Sequence, residues 1–148
     1  MIRQLSRLFT LLLVALPLAA AANELQSVKE FDGYSVHYSV FNSTFLKPDV
    51  ARSYGLKRGQ DIGILNIAVH QKTASGNKAV KAQLVGKTAN LIQQQESLEF
   101  LPIEEGSAIY YLASFRFINE EVLHYNVDIE TADGTRLTLK FTHTLYQE

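Results

Sequence analysis

The chain has 148 residues, 47% of them hydrophobic and 20% charged, with 14 Lys and Arg against 15 Asp and Glu, four His, one Met and no Cys or Trp. A formal charge of -1 excludes the broad basic footprint that a phosphate backbone requires, so no nucleic-acid partner is expected. The missing cysteines exclude disulfides, thiol catalysis and a thiol-linked lipid anchor.

In chain order, the first feature is an export signal. Arg3 and Arg7 head it, an apolar run from Leu8 to Leu18 follows, and the small residues Ala19 to Ala22 close it, with cleavage predicted after Ala22 or, alternatively, Ala21. Removing 22 of 148 residues leaves 126, carrying 12 basic against 15 acidic side chains, a charge of -3. No basic cluster longer than Lys57-Arg58 remains to hold anionic lipid. The expected product is a soluble periplasmic protein without a membrane anchor, built as one domain over residues 23–148.

The rest of the chain is dominated by period-two alternation, the pattern of strands with one buried face. Strands are predicted over Ser27–Phe31, Tyr34–Phe45, Ile62–Gln71, Ala79–Gly86, Leu98–Ile103, Ala108–Ile118, Val122–Thr131 and Arg136–Tyr146. Turn residues separate them, notably Asp32-Gly33, Ser75-Gly76-Asn77, Glu104-Glu105-Gly106 and Asp133-Gly134. Pro102 falls near a strand end and is tolerated there on a sheet edge. Between the second and third strands, Pro48 suits a first helical position, Asp49 the positive helix start, Val50 and Tyr54 one face, and Gly55 the stop, so a short helix is predicted over about 48–54. Seven or eight strands with one short helix predict an all-β fold, an antiparallel immunoglobulin-like sandwich, with a small Greek-key barrel as the alternative.

Strand register constrains the histidines. A two-residue turn at Asp133-Gly134 would face His124 with His143, but it would also set Tyr125, Val127 and Ile129 beside Thr142, Lys140 and Thr138, apolar against polar. A three-residue loop, Ala132 to Gly134, instead pairs Ile129 with Leu137, Val127 with Leu139 and Tyr125 with Phe141. His143 then lies on the apolar face as a core-edge residue and His124 on the polar face, so the two cannot share a metal. His37 and His70 fall on the polar faces of strands whose adjacency the sequence leaves open. No metal site and no cofactor are expected; without Cys or internal Met, soft-metal carriage is excluded.

Catalytic patterns are missing. Gly106-Ser107 lacks the flanks of a nucleophile elbow, no Gly-rich loop feeds a helix start, and Glu104-Glu105 and Glu120-Glu121 read as solvated turn charges. The informative residues are apolar ones on faces that alternation assigns to water. In Ala108–Ile118 the odd positions form the core face, which leaves Tyr110, Leu112 and Ile118 on the other, either covered by the 48–54 helix or the N-terminal segment, or exposed to a partner.

The stretch Phe41 to Arg58, with Asn42-Ser43-Thr44-Phe45-Leu46 before Pro48, followed by Gly63 to Val69, Ala108 to Tyr111 and Leu139 to Thr142, resembles a family of small exported bacterial proteins known only as a domain of unknown function. The resemblance implies a Gram-negative periplasmic setting and a sandwich-like domain, and brings no reaction or ligand with it. Within it, Asn42, Thr44, Arg58 and Asn66 are the polar groups of interest, with structural capping as the simplest role. The function expected is a non-catalytic periplasmic binding or interaction module for a protein partner or apolar ligand. The alternatives are an envelope hydrolase or isomerase using His143, and a structural subunit of an envelope complex.

Overall fold

A computed structural model describes residues 26–148; the predicted export signal lies outside them. Among the described residues there are ten strands: β1 (Ser27–Phe31), β2 (Tyr34–Asn42), β3 (Ile62–Thr73), β4 (Gly76–Ala79), β5 (Ala82–Ala89), β6 (Gln95–Leu98), β7 (Leu101–Glu105), β8 (Ala108–Arg116), β9 (Glu121–Thr131) and β10 (Arg136–Leu145). A 3-10 turn (Ser43–Phe45) and one short helix, α1 (Pro48–Ser53), join β2 to β3. The strands form two antiparallel sheets packed face to face, an immunoglobulin-like sandwich, and no barrel closes. One sheet runs β1-β2-β3-β8-β7, the other β10-β9-β5-β6. The long β3 is shared in tandem: Ile62 to Ile67 pair with β8, while His70 to Thr73 pair with β4.

The predicted helix is present to within a residue, with Pro48 in its first turn and Asp49 beside it. Pro102 sits in β7, an edge strand, where its missing N–H costs no ladder bond. Two predicted strands are each two. The segment read as Ala79–Gly86 leaves the six-stranded sheet at Ala79 and re-enters the opposite sheet at Ala82, where Tyr111 Oη accepts the Ala82 N–H at 2.8 Å. Likewise Leu98–Ile103 changes sheets at Glu99 and Phe100. Alternation cannot mark such crossings, because an apolar side chain faces the same core before and after them. The segment Ser43–Phe45, predicted as the end of β2, is the 3-10 turn instead.

The β9–β10 hairpin has the predicted register: Ile129 opposes Leu137, Val127 opposes Leu139, and Tyr125 opposes Phe141. Gly134 has φ +84°, a left-handed value that glycine adopts at little cost. The turn is bolted to the other sheet. Asp133 accepts hydrogen bonds from Thr131 Oγ1, the Thr135 N–H and, at 2.7 Å, Tyr34 Oη on β2. Those donors, Thr131 first and then Tyr34, hold the Asp133 carboxyl far below the usual carboxylate range.

The core lies between the sheets. Val36, Leu65, Ile67, Val69, Ala113 and Phe115 meet Tyr125, Val127, Ile129 and Leu139. Tyr125 stacks on Phe141 with centroids 4.5 Å apart and meets Phe115 edge-on at 5.4 Å. A second, smaller cluster lies on the outer face of the six-stranded sheet, where Ile64, Ile103 and Leu112 are covered by Leu46, Tyr54 and Leu56 from the segment around α1.

Candidate functional site

Tyr110 and Leu112 belong to that second cluster; Leu112 is 8% exposed, and Tyr110 packs against it. Of the two outcomes the sequence left open for these positions, the α1 segment covers the face. Ile118 is different. It follows the end of β8 and is 69% exposed.

The polar block is a brace. Ser43 Oγ donates to Gly59 O at 3.0 Å and accepts the Gly59 N–H at 2.9 Å, locking the chain on either side of α1 together. Arg58 Nη2 donates to Thr44 O at 3.0 Å, and Asn42 Nδ2 reaches Tyr146 O at 2.8 Å, beyond the end of β10 in the opposite sheet. Neither the 3-10 turn nor α1 has a side-chain cap, so Asn42 ties two sheets rather than capping a helix. Thr44 Oγ1 and Asn66 Oδ1 are buried without a hydrogen-bond partner.

A groove of about 400 Å³ opens at one end of the sandwich, with Asp61, Glu96, Arg116, Ile118 and Glu121 among its walls. It is built by strand ends that turn sharply. Arg116 pairs with Asp61 and, through its backbone N–H, with Glu96 Oε2 at 3.1 Å; the Ile118 N–H reaches Glu121 Oε2 at 2.9 Å. The bordering Asn90–Gln94 loop is held by Asn90, whose Oδ1 accepts the N–H groups of Ile92 and Gln94 at 3.2 and 2.9 Å, while Gln93 takes φ +64°. These bonds fix a turn that presents Leu91 and Ile92 outward, 67% and 75% exposed. Sequence reasoning missed this end apart from Ile118; the available signal was an adjacent Leu91-Ile92 pair inside the polar run Asn90 to Gln95.

His143 lies on the Leu139 and Leu145 side of β10, as register predicts, and is exposed at the edge of the core. The reason is that β10 is an edge strand, so this end of its apolar side looks onto the open seam against β2. A cleft of about 280 Å³ there is lined by Ser27, Tyr38, Ser39, Val40, Phe141, Thr142 and His143, and no carboxylate lines it. Partial desolvation lowers the His143 pKa. His124, on the opposite side, meets Thr142 Oγ1 at 2.8 Å through Nδ1.

The adjacency of His37 and His70 is settled by the pairing of β2 with β3. Their rings lie 4.6 Å apart between centroids, tilted by 52°. Desolvation, followed by the neighbouring His37, lowers the pKa of His70. Among the described residues, no group of three or more His, Asp or Glu converges as a metal cage, and no helix is long and apolar enough to cross a membrane.

An antiparallel two-sheet arrangement with a braced insertion on one face and a polar groove at one end defines a β-sandwich domain. The chain belongs to the family described as Domain of unknown function (DUF4426), whose model matches residues 28–148. A crystal structure of a DUF4426 family protein from Pseudomonas aeruginosa PAO1 is similar at 32% identity and a TM-score of 0.74, covering 83% of this chain and 96% of that one. FetP of uropathogenic Escherichia coli strain F11, expressed in the periplasm of E. coli, has the same fold at 9% identity and a TM-score of 0.61, with 84% and 95% of the two chains covered. A copper-bound variant of FetP compares at 11% identity and a TM-score of 0.60, covering 84% and 92%. No curated protein matches the chain.

Proposed function

We propose that the protein is a non-catalytic periplasmic interaction module that receives an apolar side chain of a partner protein at the groove end of the sandwich. The observation that carries this reading is the trio Ile118, Leu91 and Ile92. All three are large, exposed and held outward by hydrogen-bonded turns; Ile118 lines a groove with the charged walls Asp61, Arg116 and Glu96, and Leu91 and Ile92 lie in the loop whose ends, Asn90 and Gln94, line it too. Apolar anchors inside a polar rim are the anatomy of a protein interface. The periplasmic location rests on the Met1–Ala22 segment and on the family resemblance. The hydrolase reading loses support at His143, whose cleft offers Ser39 and Thr142 hydroxyls with no carboxylate to orient the imidazole.

The test begins with site-specific photo-crosslinking from Ile118 in cells, to capture the partner, followed by titration of the purified pair. Ile118→Glu and Ile92→Glu are each expected to weaken Kd at least tenfold, while Val85→Glu, on the outer face of the other sheet, leaves it unchanged. Equal Kd for all three variants would reject the groove end as the docking surface.

A further inference from the structure

The outer face of the six-stranded sheet holds a feature that neither the groove nor the fold requires. We propose that His37 and His70 form a two-imidazole site for one divalent transition-metal ion, Cu²⁺ or Zn²⁺, with water completing its coordination. Strands β2 and β3 are paired without interruption from Tyr34–Gln71 to Asn42–Gly63, so the backbone beneath the two rings is rigid. Ser35 opposes His70 and His37 opposes Ala68, which makes the two histidines diagonal neighbours on one face. Both rings sit on the side away from Val36 and Val69, which are fully buried in the core.

Two imidazole nitrogens bound to one ion at about 2.0–2.1 Å each lie roughly 3 Å apart. Ring centroids 4.6 Å apart, in a tilted rather than stacked pose, come within side-chain rotation of that separation. The surroundings suit an ion. Ser35, 1% exposed, places its Oγ 3.5 Å from His37 Nε2, the kind of outer contact that orients a ligating ring. On β3 the residue opposite His37 is Ala68 and on β4 the residue opposite His70 is Ala79, while on the β1 side His37 faces Val28 and His70 faces Ser35 on β2, so small side chains border the pair on every strand but β1. The nearest cation, Lys72, is occupied: its Nζ lies 2.6 Å from Glu30 Oε2 and 3.0 Å from Phe31 O.

Imidazole donors select zinc and copper over calcium and magnesium, which need oxygen ligands. A site with two protein ligands and open positions is one where the ion remains exchangeable and open to a further ligand. Nothing in this inference depends on the groove end or on its partner.

The experiment uses the chain purified without a polyhistidine tag. Cu²⁺ titration followed by electron paramagnetic resonance is expected to show one ion per chain with nitrogen hyperfine structure. His37→Gln and His70→Gln should each weaken binding at least tenfold, whereas His124→Gln and His143→Gln bind as the parent does. In the unmutated chain, Zn²⁺ should shift the ring resonances of His37 and His70 and leave those of His124 and His143 in place, a readout that does not depend on any variant folding. Overturning results are Cu²⁺ affinity retained in both the His37 and His70 variants, Zn²⁺ shifts at other histidines instead, or an adventitious ion only, with no defined stoichiometry.

Discussion

Both faces of the six-stranded sheet carry buried apolar residues, but for different reasons. The inner face, with Val36, Leu65, Ile67 and Phe115, is closed by the opposite sheet, and β2, β3 and β8 supply its fully buried residues. The outer face is closed only where Ile64, Ile103 and Leu112 lie beneath Leu46, Tyr54 and Leu56, and a single braced segment supplies that cover. The inner face is therefore expected to behave as a cooperative core, and the outer cover as a local unit that opens without unfolding the sandwich.

Truncation in the two layers tests this contrast. Phe115→Ala removes a fully buried ring from the inter-sheet core and should cost about 3–5 kcal/mol by denaturant unfolding. Leu112→Ala, beneath the cover, should cost about 2 kcal/mol, at the low end for a buried leucine. It should also speed proteolysis between Ser43 and Gly59 before the sandwich melts. A cost equal to that of Phe115→Ala, with no selective cleavage, would show that both faces belong to one cooperative unit.

Within the core, Gly63 makes a close approach to Phe115. A Cβ on Gly63 would lie 2.5 Å from the Phe115 ring that covers it. Gly63→Ala should cost about 1–3 kcal/mol from overpacking, and the cost should largely vanish in a Phe115→Ala background. Additive effects in that cycle would mean that ring and glycine do not share the space.

The smallest expected effect is electrostatic. Asp133 is stabilised as a carboxylate by Thr131, Tyr34 and Thr135, so its pKa is depressed in the folded state. A depressed carboxyl contributes stability that is fully present above its unfolded pKa and is lost as pH falls below it. Asp133→Asn should therefore flatten the acid limb of the stability curve between about pH 5 and 2, leaving the slope near neutrality unchanged. An unaltered acid limb would remove Asp133 as an inter-sheet bolt.

Much of the inner layer is legible in the sequence because burial on one side of a strand writes itself as alternation. The β9–β10 register follows from requiring apolar residues to face apolar residues, and the helix at Pro48 follows from proline, Asp49 and Gly55 in their preferred places. The groove end is less legible. Ile118 stands out as apolar on the wrong face, but Leu91 and Ile92 acquire meaning only once Asn90 bonds the loop and β5, β6 and β8 bring it beside Arg116. The His37–His70 pair is invisible in sequence, since its members lie on separate strands and only sheet order makes them neighbours.

By itself the sequence determined the strand-forming segments, their inward faces, the short helix and one hairpin register, because these depend on side-chain periodicity and local turn chemistry. Tertiary structure decided where two segments cross between sheets, that the α1 segment covers Leu112, that β10 is an edge leaving His143 exposed, and that β2 lies against β3. Those outcomes depend on which distant strands pair and which edges remain open, a choice set by packing the whole chain at once rather than by any local run of residues.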